Sequence, residues 1–280
     1  MKLVRYGAPG QELPGIIDEA GVLRSLSPLV ADITAAIIAP AGQRMLRALD
    51  LSRLPAVAGS PRLGVPVAGI RQIVAVGLNY RQHAEEAKMA IPAEPMLFSK
   101  AISSLSGPGD DILVRAGSQK TDWEVELGIV IGTEAECVSE ADALSHVAGY
   151  CNVNDVSERA WQLEKGGQFF KGKSARSFCP VGPWLATADE IRRPQELALS
   201  LSVNGKVMQT GNTADMIFGV PQLVSYISHY MTLMPGDLII SGTPAGVGLG
   251  MVPPQFLRAG DTVTHSITGL GEQHHNVVLY

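Results

Sequence analysis

In Thr121-Asp122-Trp123-Glu124-Val125-Glu126-Leu127-Gly128-Ile129-Val130-Ile131-Gly132 two patterns run into each other. The second half, from Gly128 to Ile131, is an apolar, β-branched run of the kind that forms a buried strand. The first half alternates, with Asp122, Glu124 and Glu126 set against Trp123, Val125 and Leu127. Side chains two apart on a strand share a face. The alternation therefore predicts three carboxylates along one wall and an apolar set packed into the core. Anions this close repel, and more strongly as water is removed. A hard divalent cation bound through oxygen relieves that repulsion. A solvent-facing acidic edge strand is the alternative, and the stretch by itself leaves both open.

On either side, short apolar runs separated by Gly, Pro and Asp turns predict strands over 73–77, 96–100, 111–114, 123–131, 146–153, 184–186, 199–203, 237–241 and 262–267. Helical periodicity is clear over 79–88, 155–164 and 220–230, where Val220, Leu223, Val224 and Ile227 form a stripe. Many strands and few helices predict an α+β, β-rich domain rather than a doubly wound sheet. Residues 1–66 read as a small accessory unit, with a strand-like start, a hairpin over 15–24, and Ala/Leu-rich helices over 31–38 and 42–49. A Pro/Gly linker at 61–66 then leads into a main domain over 67–280.

Composition narrows the function classes. The chain is 46% hydrophobic and 18% charged, as in ordinary globular proteins. A net charge of -5 and the lack of any Lys/Arg block argue against nucleic acid and anionic membranes as partners. No apolar run reaches spanning length. The start Met1-Lys2-Leu3-Val4-Arg5-Tyr6-Gly7 has no signal-peptide core. Cys137, Cys151 and Cys179 have neither metal-knuckle nor redox spacing and read as reduced, mostly packed thiols of a cytoplasmic protein. No Gly-x-Gly-x-x-Gly opens a helix and no Walker-type loop occurs, so nucleotide use is not expected.

Four further segments carry chemistry-bearing residues. In Asn79-Tyr80-Arg81-Gln82-His83-Ala84-Glu85-Glu86, Asn79 and Gln82 fit a capping box. His83 and Glu86 fall on one helical face, where a carboxylate makes an imidazole a better base. An exposed, ordinary His–Glu pair is the alternative. In Asn154-Asp155-Val156-Ser157-Glu158-Arg159-Ala160-Trp161-Gln162, Asp155 reads as a helix cap with Glu158, and Arg159 and Gln162 share its face. The carboxylate could serve a metal or only the cap. Lys171-Gly172-Lys173-Ser174 would bind an anion or decorate a loop. Gly236 to Gly248 delivers a strand into a Gly-rich turn whose N–H groups and Thr243 hydroxyl suit a small carboxylate, unless it is simply a hairpin.

Together, the Glu-x-Glu before an apolar strand, the downstream Asp, Lys-Ser followed by Pro-x-Gly-Pro, and Ser-Gly-Thr-Pro-x-Gly-Val-Gly resemble the fumarylacetoacetate hydrolase family over about residues 70–270. The resemblance implies a mixed β-sandwich or roll with a small N-terminal α+β domain. It implies Glu124, Glu126 and Asp155 as ligands of Mg²⁺ or Mn²⁺, with Asp122 a neighbour rather than a ligand. It also implies His83 and Glu86 as the water-activating dyad, Lys173 as catalytic, and Arg159, Gln162 and Thr243 as holders of a small 2-oxo acid. The expected reaction is hydrolysis of a 2,4-dioxo acid of the acylpyruvate type to pyruvate and a second acid. The N-terminal unit resembles a bacterial subgroup often labelled ureidoglycolate lyase, whose members hydrolyse 2,4-dioxo-3-deoxy sugar acids such as the L-rhamnonate or fuconate. Relatives are typically homodimers. Oxaloacetate decarboxylation, dioate isomerisation and a silent metal-binding paralogue are the competing expectations. Arg176 departs from the family, where Asp is common, and bears on the charge of the pocket.

Overall fold

The computed structural model describes residues 1–280. Its main element is a ten-stranded mixed sheet in the order Leu23–Ser25, Leu13–Ile17, Lys2–Tyr6, Cys179–Thr187, Val147–Asn154, Val125–Ile131, Leu238–Ile240, Ile73–Gly77 and Met96–Ser99, with Leu105–Ser106 paired to Cys179–Thr187 off this path. Val125–Ile131 is antiparallel to both of its neighbours, whereas Leu238–Ile240 and Ile73–Gly77 run parallel. A second sheet of five strands, Lys206–Asn212, Ala198–Val203, Thr262–Ile267, Gly271–Leu279 and Ile112–Val114, shares a core with the first. The expected N-terminal hairpin forms, and Lys2–Tyr6 joins it to the large sheet through Cys179–Thr187. No helix is long and apolar enough to cross a membrane.

Every residue of Val125–Ile131 is buried, because both faces of the strand are covered. Val125, Leu127, Ile129 and Ile131 enter the larger core with Leu199, Leu201 and Val263 of the second sheet and Leu223, Val224 and Ile227 of helix Val220–Ser228. Val130, on the opposite face, joins Leu3, Ile16, Ile38, Ile73 and Leu238 in a smaller core. Gly128 shares that face, and a Cβ there would lie 2.6 Å from Cγ2 of Val153 on the adjacent strand. Close approach of the two strands thus requires glycine. By the two-residue period, Glu126 comes next on this face, toward the strand's start.

The expected strand over 123–131 begins only at Val125. Trp123 and Glu124 belong to no strand, and Thr121–Asp122 pairs with Ser157–Glu158 in a separate ribbon. Side chains replace the missing ladder. Oδ1 of Asn154 accepts the Glu124 N–H at 3.0 Å, and Oε1 of Gln209 accepts the Val125 N–H at 3.0 Å. Asp122, Glu124 and Glu126 are all buried, which excludes the solvent-facing acidic edge.

Both expected capping arrangements are corrected. Helix Arg81–Glu86 starts after Tyr80, and Asn79 is a buried staple: its Nδ2 donates to the carbonyls of Phe218 and Ser241, and its Oδ1 accepts from the Phe218 N–H. Helix Arg159–Leu163 starts well after Asp155. The Asp155 carboxylate is taken by lysines, and that of Glu158 by the Lys120 N–H and the Thr121 hydroxyl. Strands Lys206–Asn212 and Gly271–Leu279 carry too many polar residues for the pattern to announce them.

Candidate functional site

Carboxylate oxygens from Glu124, Glu126 and Asp155 lie within 4.8 Å of one another, and all three residues are buried. Glu126 comes from the central strand, Glu124 from the break before it, and Asp155 from just past Val147–Asn154, whose Val153 is the register partner of Glu126. Cations crowd two of the three. Lys173, on the single-turn helix Phe170–Lys173, donates to Oε2 of Glu124 and Oδ2 of Asp155, at 2.7 Å each. Lys100 takes the other oxygen of Asp155. Arg159 places Nη2 2.6 Å from Oε1 of Glu124, and its Nε donates to Oδ2 of Asp122 at 2.8 Å.

Glu126 stands apart. It forms no ion pair, and its Oε2 accepts only the N–H of Gly242, at 2.7 Å. Gly242 has φ +93° and would place a Cβ 2.7 Å from Cβ of Asn79, so glycine alone brings this N–H into reach. Burial pushes the Glu126 carboxyl well above the usual range, and the charges of Asp155 and Glu124 push it further. Burial acts the same way on Glu124, but the Lys173 and Arg159 charges outweigh it and hold that carboxyl low. Lys173 loses stability to burial yet is held above its ordinary value by Asp155 and Glu124. The network thus contains four carboxylates, counting Asp122, against Lys100, Arg159 and Lys173. Three converging oxygen donors, one of them without a positive partner, fit a hard divalent cation.

His83 lies with Nδ1 3.2 Å from Oε2 of Glu86. A carboxylate only accepts, so this contact keeps the proton on Nδ1 and leaves a lone pair on Nε2. Oε1 of Glu86 accepts the N–H of Gly246 at 3.0 Å, which ties the helix to the Gly-rich loop. The same loop is pinned by Asp122, whose two oxygens accept the N–H groups of Gly248 at 2.7 Å and Leu249 at 3.0 Å. This corrects the expectation for the loop: the N–H groups of Gly242, Gly246 and Gly248 bind the protein's own carboxylates and do not face a ligand. The Thr243 hydroxyl donates to the Val125 carbonyl at 2.9 Å and accepts from Nε2 of Gln209 at 2.8 Å.

A cavity of about 430 Å³ opens over this floor. His83, Glu86, Glu124, Glu126, Arg159, Gln162, Lys173 and Thr243 all line it. Of the residues expected to hold metal or substrate or to act in catalysis, Asp155 alone is not in the lining; it is buried and bonded to Lys100 and Lys173. Lys171 is exposed. Arg176 is exposed too, with its guanidinium 5.7 Å from the Tyr280 ring, and it is not among the lining residues. Its charge therefore bears little on the pocket. Sequence reasoning overlooked Lys100, whose only signal is a lysine closing an apolar run, and the lining aromatics Phe98 and Phe169.

Over residues 72–278 the sequence matches the family described as fumarylacetoacetate (FAA) hydrolase, C-terminal. A protein of Burkholderia cenocepacia, provisionally named a hydrolase, is 54% identical over 274 residues, which span 98% of this chain and 97% of that one. A solved fumarylacetoacetate hydrolase of psychrophilic Exiguobacterium antarcticum superposes with a TM-score of 0.90 at 36% identity, over 100% of both chains. A maleylpyruvate hydrolase of Sphingobium, solved with manganese(II) ion and pyruvate, gives 0.84 at 28% identity over 100% of this chain and 99% of that one. A 2-hydroxyhepta-2,4-diene-1,7-dioate isomerase of Mycobacterium marinum gives 0.74 at 32% identity, with 100% and 98% covered.

Proposed function

This chain belongs to the fumarylacetoacetate hydrolase family, and from that premise we propose that it hydrolyses the C3–C4 bond of a 2,4-dioxo acid, releasing pyruvate and a second carboxylic acid. The carrying observation is that Glu124 and Glu126, two of the three clustered carboxylates, line the same cavity as the His83–Glu86 pair, with Asp155 buried beside them. Glu124, Glu126 and Asp155 would hold Mg²⁺ or Mn²⁺, which when bound supplies Lewis acidity toward the oxygens of a 2-oxo acid. Manganese(II) and pyruvate in the Sphingobium neighbour support that reading.

The remaining chemistry falls to side chains. Arg159 and Gln162, joined by the 3.0 Å bond from Nη1 to Oε1, form a polar wall for the substrate's carboxylate, whereas Thr243, whose proton goes to the Val125 carbonyl, only shapes the cavity near it. Nε2 of His83 removes a proton from water, and Glu86 stabilises the imidazolium that results. The water oxygen bonds to C4, and the C3–C4 electron pair departs as the enolate of pyruvate. The Lys173 ammonium offsets that developing charge. The proton returns from His83 to C3, and the second product leaves as its acid.

The Mycobacterium marinum neighbour favours a second reading, isomerisation of an unsaturated dioate, in which a proton moves and no water attacks. Oxaloacetate decarboxylation likewise needs no attacking water. The deciding experiment follows loss of enol absorbance for a set of 2,4-dioxo acids after EDTA treatment and Mg²⁺ addition. Metal-restored formation of pyruvate and the second acid supports the hydrolase. Turnover of dioates or oxaloacetate alone would replace it.

A further inference from the structure

Half of the residues that line the cavity are hydrophobic. Leu78, Met89, Phe98, Phe169, Leu249 and Val252 line it together with the carboxylates. Phe98 and Phe169 meet edge to face with centroids 5.4 Å apart, and the Phe98 ring lies 5.3 Å from Nζ of Lys173. The aromatic corner thus begins where the catalytic lysine ends. Met89 and Leu249, both lining the cavity, are left 51% and 38% exposed.

The charges exclude two kinds of occupant. The lysines and arginines lining the cavity are Lys88, Arg159 and Lys173, and the one histidine, His83, is bonded to Glu86. Arg159 and Lys173 are bound to Asp122, Glu124 and Asp155. Lys88 is exposed at the end of helix Arg81–Glu86, where an ion pair is screened by water. A second carboxylate on the ligand would be set against carbon with no buried cation. The hydroxyls of a sugar acid would likewise lose water without gaining partners. The cavity of about 430 Å³ is within the range of drug-sized sites and exceeds what a three-carbon 2-oxo acid head requires.

We propose that the substrate's distal group is an apolar acyl tail, aliphatic or aryl, seated on Phe98, Phe169 and Leu249. This inference rests on the hydrolase reading and names the substrate class for it; polyhydroxylated tails of the 3-deoxy sugar acid kind are disfavoured.

The test is kcat/KM across 2,4-dioxo acids that share the head and differ in the tail: methyl to pentyl, phenyl, a carboxylate-terminated chain and a polyhydroxylated chain. The expected result is a rise of about fourfold per added methylene over the first few carbons. The carboxylate and polyhydroxylated tails should fall at least tenfold below the apolar tail of equal length. Phe169→Ala should flatten the methylene series, and Leu249→Lys should narrow the gap between apolar and carboxylate tails. A flat series, or preference for a charged or hydroxylated tail, overturns the inference and leaves the hydrolase intact. If no member turns over, the hydrolase reading fails. The tail inference then stands or falls on calorimetric, Mg²⁺-dependent binding of 2-oxo acids bearing the same tails, with the apolar order supporting it and the reverse order ending it.

Discussion

Nζ of Lys173 lies 2.7 Å from Oδ2 of Asp155, deep enough that neither side chain meets solvent appreciably. The same ammonium bonds Glu124, so one lysine holds together two of the three acids of the cluster. Glu126, the third, has no such partner. The two arrangements carry opposite consequences for stability.

Removing Lys173 takes one positive partner from each of two buried anions, leaving Lys100 on Asp155 and Arg159 on Glu124. Breaking one side of a buried ion pair costs about 3–5 kcal/mol. Lys173→Met should therefore lower the urea unfolding free energy of metal-free protein by about that much, and saturating Mg²⁺ should recover part of it. Glu126→Gln removes a carboxyl whose charged form burial and the neighbouring acids disfavour, and should leave the metal-free protein as stable or more so. Urea midpoints of both variants with and without Mg²⁺ check the pair of signs.

His83→Ala and Glu86→Gln remove the proposed base and the carboxylate bonded to it. Loss of general-base catalysis should lower kcat by about 10²- to 10⁴-fold for His83→Ala. Glu86→Gln should cost less, although it also loosens the Gly246 N–H contact. Neither residue belongs to the carboxylate cluster, so Mn²⁺ affinity should hold in both. Steady-state kinetics beside a metal titration of each variant measures this.

Asp122 would pass in the sequence for a member of the acidic row, yet it works on the loop. Asp122→Asn exchanges one accepting oxygen for an amide that cannot serve both Arg159 and the Leu249 N–H. Hydrogen bonds to charged groups contribute about 1.5–3 kcal/mol. A fall in kcat/KM of about ten- to a hundredfold, with the metal stoichiometry unchanged, is the expected outcome.

Far from the cavity, His265 and His275 stack with centroids 5.5 Å apart between the two sheets. Burial lowers both, His265 well below its usual value and His275 less far, and each is further lowered by the neighbouring His274 charge. The unfolded chain accepts protons below about pH 6.5 that the folded chain refuses. Stability should be level above that pH and fall beneath it, by up to about 1.4 kcal/mol per pH unit for each histidine until its folded pKa is reached. Replacing His265 with Gln should reduce the slope, as read from thermal unfolding between about pH 7 and 5.

Much of this was legible in the sequence. Runs such as Ile73–Gly77 and Thr262–Ile267 announced their strands because apolar pattern and flanking turns agreed. Glu124, Glu126, His83 and Lys173 were singled out because their spacing together resembles a family, and all four line the cavity. The break at Trp123–Glu124 was not, since nothing local shows that Asn154 and Gln209 take over the ladder there. Lys100 was missed for the same reason: its partner, Asp155, is far along the chain. Asn79 and Asp155 looked like helix caps because capping residues and buried staples draw on the same short polar side chains.

The account depends on Glu124, Glu126 and Asp155 binding one hard cation between them, and a Mn²⁺ titration of EDTA-stripped protein followed by electron paramagnetic resonance tests this most directly. One tightly bound Mn²⁺ per chain, displaced by Mg²⁺ and weakened about a hundredfold or more in folded Glu126→Gln, is the predicted result. Absence of a stoichiometric site, or a site that Glu126→Gln leaves unchanged, would contradict it.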